Sequence, residues 1–290
     1  MPYSVIRFGL FCSLYRLQMN YFRTIRSLIA LVLFITLICC NRNQYAVTNK
    51  SYKKQAKSYA RIIRQAPLKD SLDSIDWVGT TNFNLRKPNF VIIHHTAQNS
   101  CDQTLKTFTL PRTQVSAHYV ICKDGTIHHM LNDYLRAWHG GIAKWGNNTD
   151  INSSSIGIEI DNNGFEPFTD QQINALLKLL RNLKQAYNIP VANFIGHADI
   201  APTRKDDPNV YFPWKTLADN GFGLWWSDTT AVHVPENFNS LEALRIIGYN
   251  INDSAAVIQT FKRKYEQQDK SSVLNDGDIK ILYTLYKKYE

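Results

Sequence analysis

Apolar positions along the chain switch between a period of two and a helical period. Residues 89–95, NFVIIHH, form a β-branched run that predicts a buried strand. Side chains alternate along a strand, so Phe90, Ile92 and His94 share one face while Val91, Ile93 and His95 share the other. The two adjacent histidines therefore cannot both point into one site. AHYVIC and TIHHML, joined by Lys123, Asp124 and Gly125, predict a hairpin within residues 117–131. In SIGIEID (155–161), Ile156, Ile158 and Ile160 face the core and Glu159 and Asp161 face the other way. Thr169 with Gln172 then forms a capping box, followed by Ile173, Leu176, Leu177, Leu180, Leu183 and Tyr187 at helical spacing. That helix stops before Pro190, and NFIGH predicts a last strand ending at His197. GFGLWW lies at 221–226. Beyond residue 238, SLEALRIIGY, SAAVIQTFKRKY and DGDIKILYTLYKKY predict three short amphipathic helices in a separate bundle. Strands alternating with helices make the body an α/β domain.

The first forty residues follow different rules. They contain Arg7, Arg16, Arg23 and Arg26, no acidic residue, and the apolar run SLIALVLFITLICC from Ser27 to Cys40. This is the layout of a secretory signal, and the run is short against the roughly 20 apolar residues of a membrane span. Met19 is an alternative start, with Arg23 and Arg26 then forming the charged region. The end of the signal, Leu37-Ile38-Cys39-Cys40, resembles a bacterial lipobox with Cys40 as the lipidated residue, although Cys39 stands where a small residue is usual. Residues 1–40 are read as a lipoprotein signal peptide and 41–75 as a basic linker, in which Lys50, Lys53, Lys54, Lys57, Arg61 and Arg64 read as a solvated spacer, with electrostatic attraction to an anionic surface or wall as the alternative.

Charge changes meaning in this light. The chain of 290 residues carries +9, which by itself suggests nucleic acid, a membrane surface or an acidic polymer. Without the four arginines of the signal, 29 basic residues face 24 acidic ones, or +5. Of five cysteines, Cys12, Cys39 and Cys40 belong to the signal; Cys101 and Cys122 would be free to pair in an oxidising compartment, but sequence does not set their distance.

The candidate chemistry is a metal site. His94, His197, Asp199, Asp206 and Asp207 lie at predicted strand ends, and two histidines plus one carboxylate with an open position suit a catalytic zinc. Spacing alone does not choose among the three acids. The chain has no HExxH, no GxSxG elbow and no P-loop.

Five ordered motifs, VIIHHTA (91–97), VSAHYVICKDG (115–125), RAWHGG (136–141), SIGIEIDN (155–162) and GHADIAPTRKDDP (196–208), resemble the zinc-dependent N-acetylmuramoyl-L-alanine amidase family. The resemblance covers about residues 87–217 and implies a mixed central β-sheet flanked by helices, a fold shared with peptidoglycan recognition proteins. It sets the amidase domain at 76–226. Residues 238–290 are similar, more weakly, to the helical wall-binding module of outer-membrane lipoprotein members of the family.

The same resemblance implies roles. His94, His197 and Asp207 (the acid before Pro208) become the zinc ligands, Asp207 being chosen over Asp206 and Asp199. Asp199 is left with a loop or capping role. Glu159 becomes the general acid–base and Lys205 the oxyanion stabiliser. Arg204 and His139 are expected near substrate, His139 alternatively behind the metal, and His118 is read as structural. Thr203 stands where a Gly usually precedes Arg204, and Ala117 where the phage enzyme has a Tyr, which leaves Glu159 as the sole base. The implied activity is zinc-dependent hydrolysis of the amide between N-acetylmuramic acid and L-alanine in peptidoglycan or muropeptides. The implied setting is the bacterial cell envelope: a lipid-anchored monomer on the periplasmic face of the outer membrane that binds no nucleic acid. The competing readings are a peptidoglycan-binding protein without catalysis and an amidase restricted to anhydro-muropeptides.

Overall fold

The computed structural model describes residues 44–64, 79–267, 269 and 271–289. The signal of residues 1–40, Cys40 and residues 65–75 of the linker lie outside the described residues. Among the described residues no helix is long and apolar enough to cross a membrane. The chain divides into two units, Met1–Thr80 and Thr81–Glu290. In the first, the expected spacer holds an 18-residue helix, α1 (Ala46–Ile63), with no buried residue. Lys, Ala, Gln and Arg dominate it and neither Gly nor Pro interrupts it, so local propensity favours helix.

The second unit is built on a five-stranded mixed sheet in the order β3-β2-β4-β1-β5. Its strands are β1 (Phe90–His95), β2 (Tyr119–Ile121), β3 (Ile127–His129), β4 (Ser155–Ile160) and β5 (Phe194–Gly196). β2, β4, β1 and β5 run parallel, while β3 closes the predicted hairpin as the antiparallel edge. The alternation predicted for β1 divides the interior. Val91 and Ile93 join Ile156, Ile158 and Ile160 in one core against α4 (Asp170–Tyr187), which supplies Leu176, Leu180 and Leu183. Ile92 lies in a second core on the opposite face. The capping box of Thr169 and Gln172 forms as expected.

The helical pieces that escaped the periodicity include α2 (Cys101–Thr109), α3 (Ile151–Ser154), α5 (His197–Ile200) and α6 (Trp214–Asp219). α2 buries only Thr104 and Leu105, too few positions to show a period. Its first residue, Cys101, forms a disulfide with Cys122, with Cα atoms 5.3 Å apart. Closing a loop of this size lowers the entropy of the unfolded chain by an amount worth about 3 kcal/mol.

The C-terminal helices α7 (Ser240–Ile247), α8 (Ser254–Tyr265) and α9 (Asp276–Tyr286) start where the sequence placed them. Asn239, Asp253 and Asn275 each cap one by accepting a backbone N–H. They do not stand apart as a bundle. Leu244, Val257, Phe261, Leu282 and Leu285 form the second core together with Ile92, Ile195 and Ile200 of the sheet region. The Trp145 ring covers Gly248 so closely that any side chain there would overlap it. Gly146 N–H donates to Gly248 O at 2.7 Å. Sequence periodicity shows which helix face is apolar but not what covers it, so the two regions looked separable.

Phe261 is fully buried in this shared core. Phe261→Ala is expected to cost about 3–5 kcal/mol. The loss should appear as one shifted denaturation transition for both the sheet region and the C-terminal helices. A transition in which only the helices melt early would contradict the shared core.

Candidate functional site

Parallel pairing of β1 with β4 sets His94 beside Glu159. Both side chains leave the sheet on the face away from α4. β5 ends at Gly196, and His197 opens the short helix α5 (His197–Ile200) next to them. The following loop returns Asp207. His94 Nδ1, His197 Nδ1 and Asp207 Oδ2 then form a triangle with sides of 2.9, 3.0 and 3.1 Å. All three residues are buried. They form a group whose donor atoms could hold one metal ion. Of the rival acids, Asp206 is exposed and Asp199 points elsewhere.

The hydrogen bonds behind the triangle fix its chemistry. Ser155 Oγ donates to Ile151 O at 2.6 Å, so it accepts from His139 Nε2–H at 3.1 Å. His139 Nδ1 is thereby an acceptor and takes the Nε2–H of His94 at 3.1 Å. The lone pair of His94 is left on Nδ1, facing the triangle. His197 donates from Nε2 to Gly140 O at 3.0 Å, leaving its own Nδ1 facing the same point. Two neighbouring residues of the RAWHGG motif thus orient both histidines, as metal-binding imidazoles require. Asn152 Oδ1 holds this turn by accepting the N–H groups of His139 and Gly140. Gly157 on β4 makes room for it, because a Cβ there would overlap the His139 ring.

The acid–base candidate is positioned but unsatisfied. Glu159 Oε1 lies 3.9 Å from His94 Nδ1, and Oε2 is buried without a hydrogen-bond partner. Burial and the nearby Asp207 charge push the Glu159 carboxyl well above its usual range, while the Lys205 charge pulls it down. Burial, with the neighbouring His197, lowers His94 to about 4, which keeps its Nδ1 unprotonated at neutral pH. Burial would raise Asp207, but the proximity of His94 and His197 holds it below the ordinary carboxylate range.

The remaining expectations divide. His139 is buried and faces His94, so it stands behind the histidine and not at a substrate surface. Arg204 Nη2 is bonded to Gly140 O at 2.8 Å and Ile142 O at 2.9 Å, so it clamps the turn that orients His197. Lys205 is half-buried, and its charge acts on Glu159 and His94. His118 bridges strands: Nδ1 accepts Gly157 N–H at 3.1 Å and Nε2 donates to Leu135 O at 3.0 Å. His95, on the opposite face, accepts Asn209 N–H at 3.0 Å.

Asp199 caps α5 by accepting Gly196 N–H at 2.8 Å, as its expected role required. It also carries more than that role predicted. Its two oxygens receive Lys264 Nζ at 2.6 Å and Tyr249 OH at 2.7 Å, both from the C-terminal region. Lys264 and Asp199 are buried, and Lys264 lies 4.3 Å above the Trp214 ring. The C-terminal helices therefore neutralise the buried acid that caps the helix bearing His197. A lysine within KRKY offers no sequence signal for this, since runs of basic residues usually face solvent.

Two outcomes follow from these contacts. Gly157→Ala should displace His139 and weaken metal binding about 10–100-fold, the usual cost of losing a partner behind a ligand. Competition against a chelating dye would measure this with far-UV circular dichroism unchanged. Lys264→Met should leave Asp199 buried and unpaired at a cost of about 3–5 kcal/mol. Adding Asp199→Asn should recover part of that loss in urea denaturation; a strictly additive double variant would show that the pair is not coupled.

Comparison with known proteins agrees with this geometry. The family profile described as N-acetylmuramoyl-L-alanine amidase matches residues 84–210. N-acetylmuramoyl-L-alanine amidase AmiD of Escherichia coli is 37% identical over 186 residues, which is 56% of this chain and 66% of AmiD. The 1,6-anhydro-N-acetylmuramyl-L-alanine amidase AmpD of Haemophilus influenzae is 38% identical over 103 residues, 35% of this chain and 56% of its own length. The aligned stretch thus spans between about half and two thirds of these relatives. Among solved structures, AMPDH3 of Pseudomonas aeruginosa superposes with a TM-score of 0.65 at 30% identity, covering 77% of this chain and 99% of that one. E. coli AmiD, solved with the substrate anhydro-N-acetylmuramic acid-L-Ala-D-gamma-Glu-L-Lys, superposes with a TM-score of 0.65 at 28% identity, covering 77% and 97%. The chain belongs to the N-acetylmuramoyl-L-alanine amidase family.

Proposed function

We propose that this protein is a zinc-dependent N-acetylmuramoyl-L-alanine amidase acting on peptidoglycan or its muropeptides. The observation that carries the reading is the triangle of His94 Nδ1, His197 Nδ1 and Asp207 Oδ2 beside a buried, unpartnered Glu159 oxygen. Two neutral imidazoles and one carboxylate suit zinc better than hard cations, which prefer all-oxygen sites. Bound there, zinc would polarise the scissile carbonyl and lower the pKa of a coordinated water.

The residues of the chain do the rest. Glu159 accepts the proton of the attacking water and returns it to the alanine nitrogen as the amide bond breaks. A carboxyl raised by burial above its usual range is the more basic for it, which suits taking the proton of the water, and its protonated form can give that proton back. The Lys205 ammonium offsets charge developing on the carbonyl oxygen. Gly140, Arg204 and His139 act through the histidines by holding their rings. The products are a muramic acid carboxylate and a peptide with a free L-alanine amine. Complexes of E. coli AmiD and P. aeruginosa AMPDH3 with anhydromuramyl peptides support muropeptides as substrates, anhydro forms included. A complete donor set with both Glu159 and Lys205 supports catalysis over binding alone. The lipobox-like ICC supports lipid anchoring in the cell envelope with Cys40 as the modified residue, and a monomer on the periplasmic face of the outer membrane is proposed with it.

Glu159→Gln should retain zinc and lose about 10²–10⁴-fold in rate, measured by mass spectrometry of peptides released from purified muropeptides. The ionised form of Glu159 is the active base, so wild-type kcat/KM should fall as pH drops through a limb above the ordinary carboxylate value of 4.5. That limb should be missing from the residual activity of Glu159→Gln. Near wild-type release by the variant would remove Glu159 from the mechanism.

A further inference from the structure

The linker helix α1 (Ala46–Ile63) is not needed for the site, yet its residues are sorted around its axis. At 100° per residue, Lys50, Lys53, Lys54, Lys57, Arg61 and the following Arg64 fall within one arc of about 100°. Tyr52, Ala56, Tyr59 and Ile63 follow each other at spacings of four, three and four residues and line the opposite side. Residues 44–64 include no acidic residue. A solvated spacer has no reason to separate its cations from its apolar groups, and it gains more from mixed charges paired along the helix. The apolar side is open: Tyr52 is 37%, Tyr59 44% and Ile63 73% exposed. Val47 breaks the pattern on the cationic side.

We infer that α1 is an interfacial helix that lies along a bilayer surface bearing anionic lipid headgroups. The chemistry selects that partner. A helix with a purely cationic side and an apolar side binds where anionic headgroups and an acyl boundary occur together. Tyrosine suits this depth, with its ring in the apolar layer and its hydroxyl at the headgroups. An anionic wall polymer would match the cations but leave Tyr52, Tyr59 and Ile63 without an apolar partner. The helix is too short and too charged to span. This contact is independent of a lipid at Cys40 and of the amidase activity, and it would add to the hold that a lipid there provides.

The test compares full-length chains on vesicles of phosphatidylcholine alone and of phosphatidylcholine with 30% phosphatidylglycerol, alongside isolated sacculi. Residues 1–40, with their four arginines, are the same in every chain, so the change in the ratio of the two partition coefficients between wild type and variants reports α1. Wild type is expected to favour the anionic vesicles at least about tenfold at low salt, falling towards parity at high salt. The charge-reversed variant Lys50→Glu/Lys54→Glu/Lys57→Glu/Arg61→Glu should lower that ratio several-fold. The variant Tyr52→Ser/Tyr59→Ser/Ile63→Ser, which keeps every cation, should also weaken it several-fold. Cleavage of a soluble muropeptide should be the same for all three chains. Equal partition of wild type into both vesicle types would overturn the inference. So would an unchanged ratio in the apolar-side variant, or charge-dependent binding to sacculi without anionic vesicle preference.

Discussion

Three electron-pair donors held about 3 Å apart in a buried pocket repel one another unless a cation lies between them. Much of the surrounding structure serves to hold that crowded arrangement. Both histidines must be neutral, and both must turn the same nitrogen inward. The relay from Ile151 O through Ser155 and His139 does this for His94, and Gly140 O does it for His197. Each partner needs support in turn. Asn152 holds the turn from below, Arg204 clamps it from the loop, and Gly157 leaves space for the His139 ring. The RAWHGG motif is thus a two-point jig for metal ligands that arrive from a strand and from the start of a separate helix.

The same constraint extends into the C-terminal helices. The helix carrying His197 is only four residues long and cannot hold itself in place. Asp199 ties it to Gly196, and Lys264 and Tyr249 make burial of Asp199 tolerable. A region that resembles an appended wall-binding module therefore completes the support of the amidase centre, as the second core of Ile92, Ile195, Leu244 and Phe261 also indicates. Whatever else these helices bind, they are continuous with the catalytic body.

Local periodicity made much of the frame legible. The alternation in VIIHH separated His94 from His95, and the structure puts them on opposite faces. Ile156, Ile158 and Ile160 enter the core while Glu159 leaves it, and the capped helix from Asp170 to Tyr187 is where its spacing put it. The residues around the metal triangle were less legible because their roles depend on groups distant in sequence. Nothing local distinguishes Asp207 from exposed Asp206; the family resemblance did that. His139 and Arg204 carry polar side chains that fit a substrate contact equally well until their partners are seen. Lys264 looks like a solvated base until Asp199, 65 residues away, is found against it. The disulfide between Cys101 and Cys122 depends on where α2 meets β2, a distance that no spacing encodes.

The most direct test of the donor triangle is an anomalous difference map collected at the zinc absorption edge from crystals of the zinc-loaded protein. A single peak is predicted, bonded at about 2.0–2.2 Å to His94 Nδ1, His197 Nδ1 and Asp207 Oδ2. Both Nε2 atoms should remain hydrogen-bonded to His139 and Gly140 O. Zinc bonded through either Nε2, or held by Asp199 or Glu159 in place of Asp207, would contradict the arrangement on which the proposed chemistry rests.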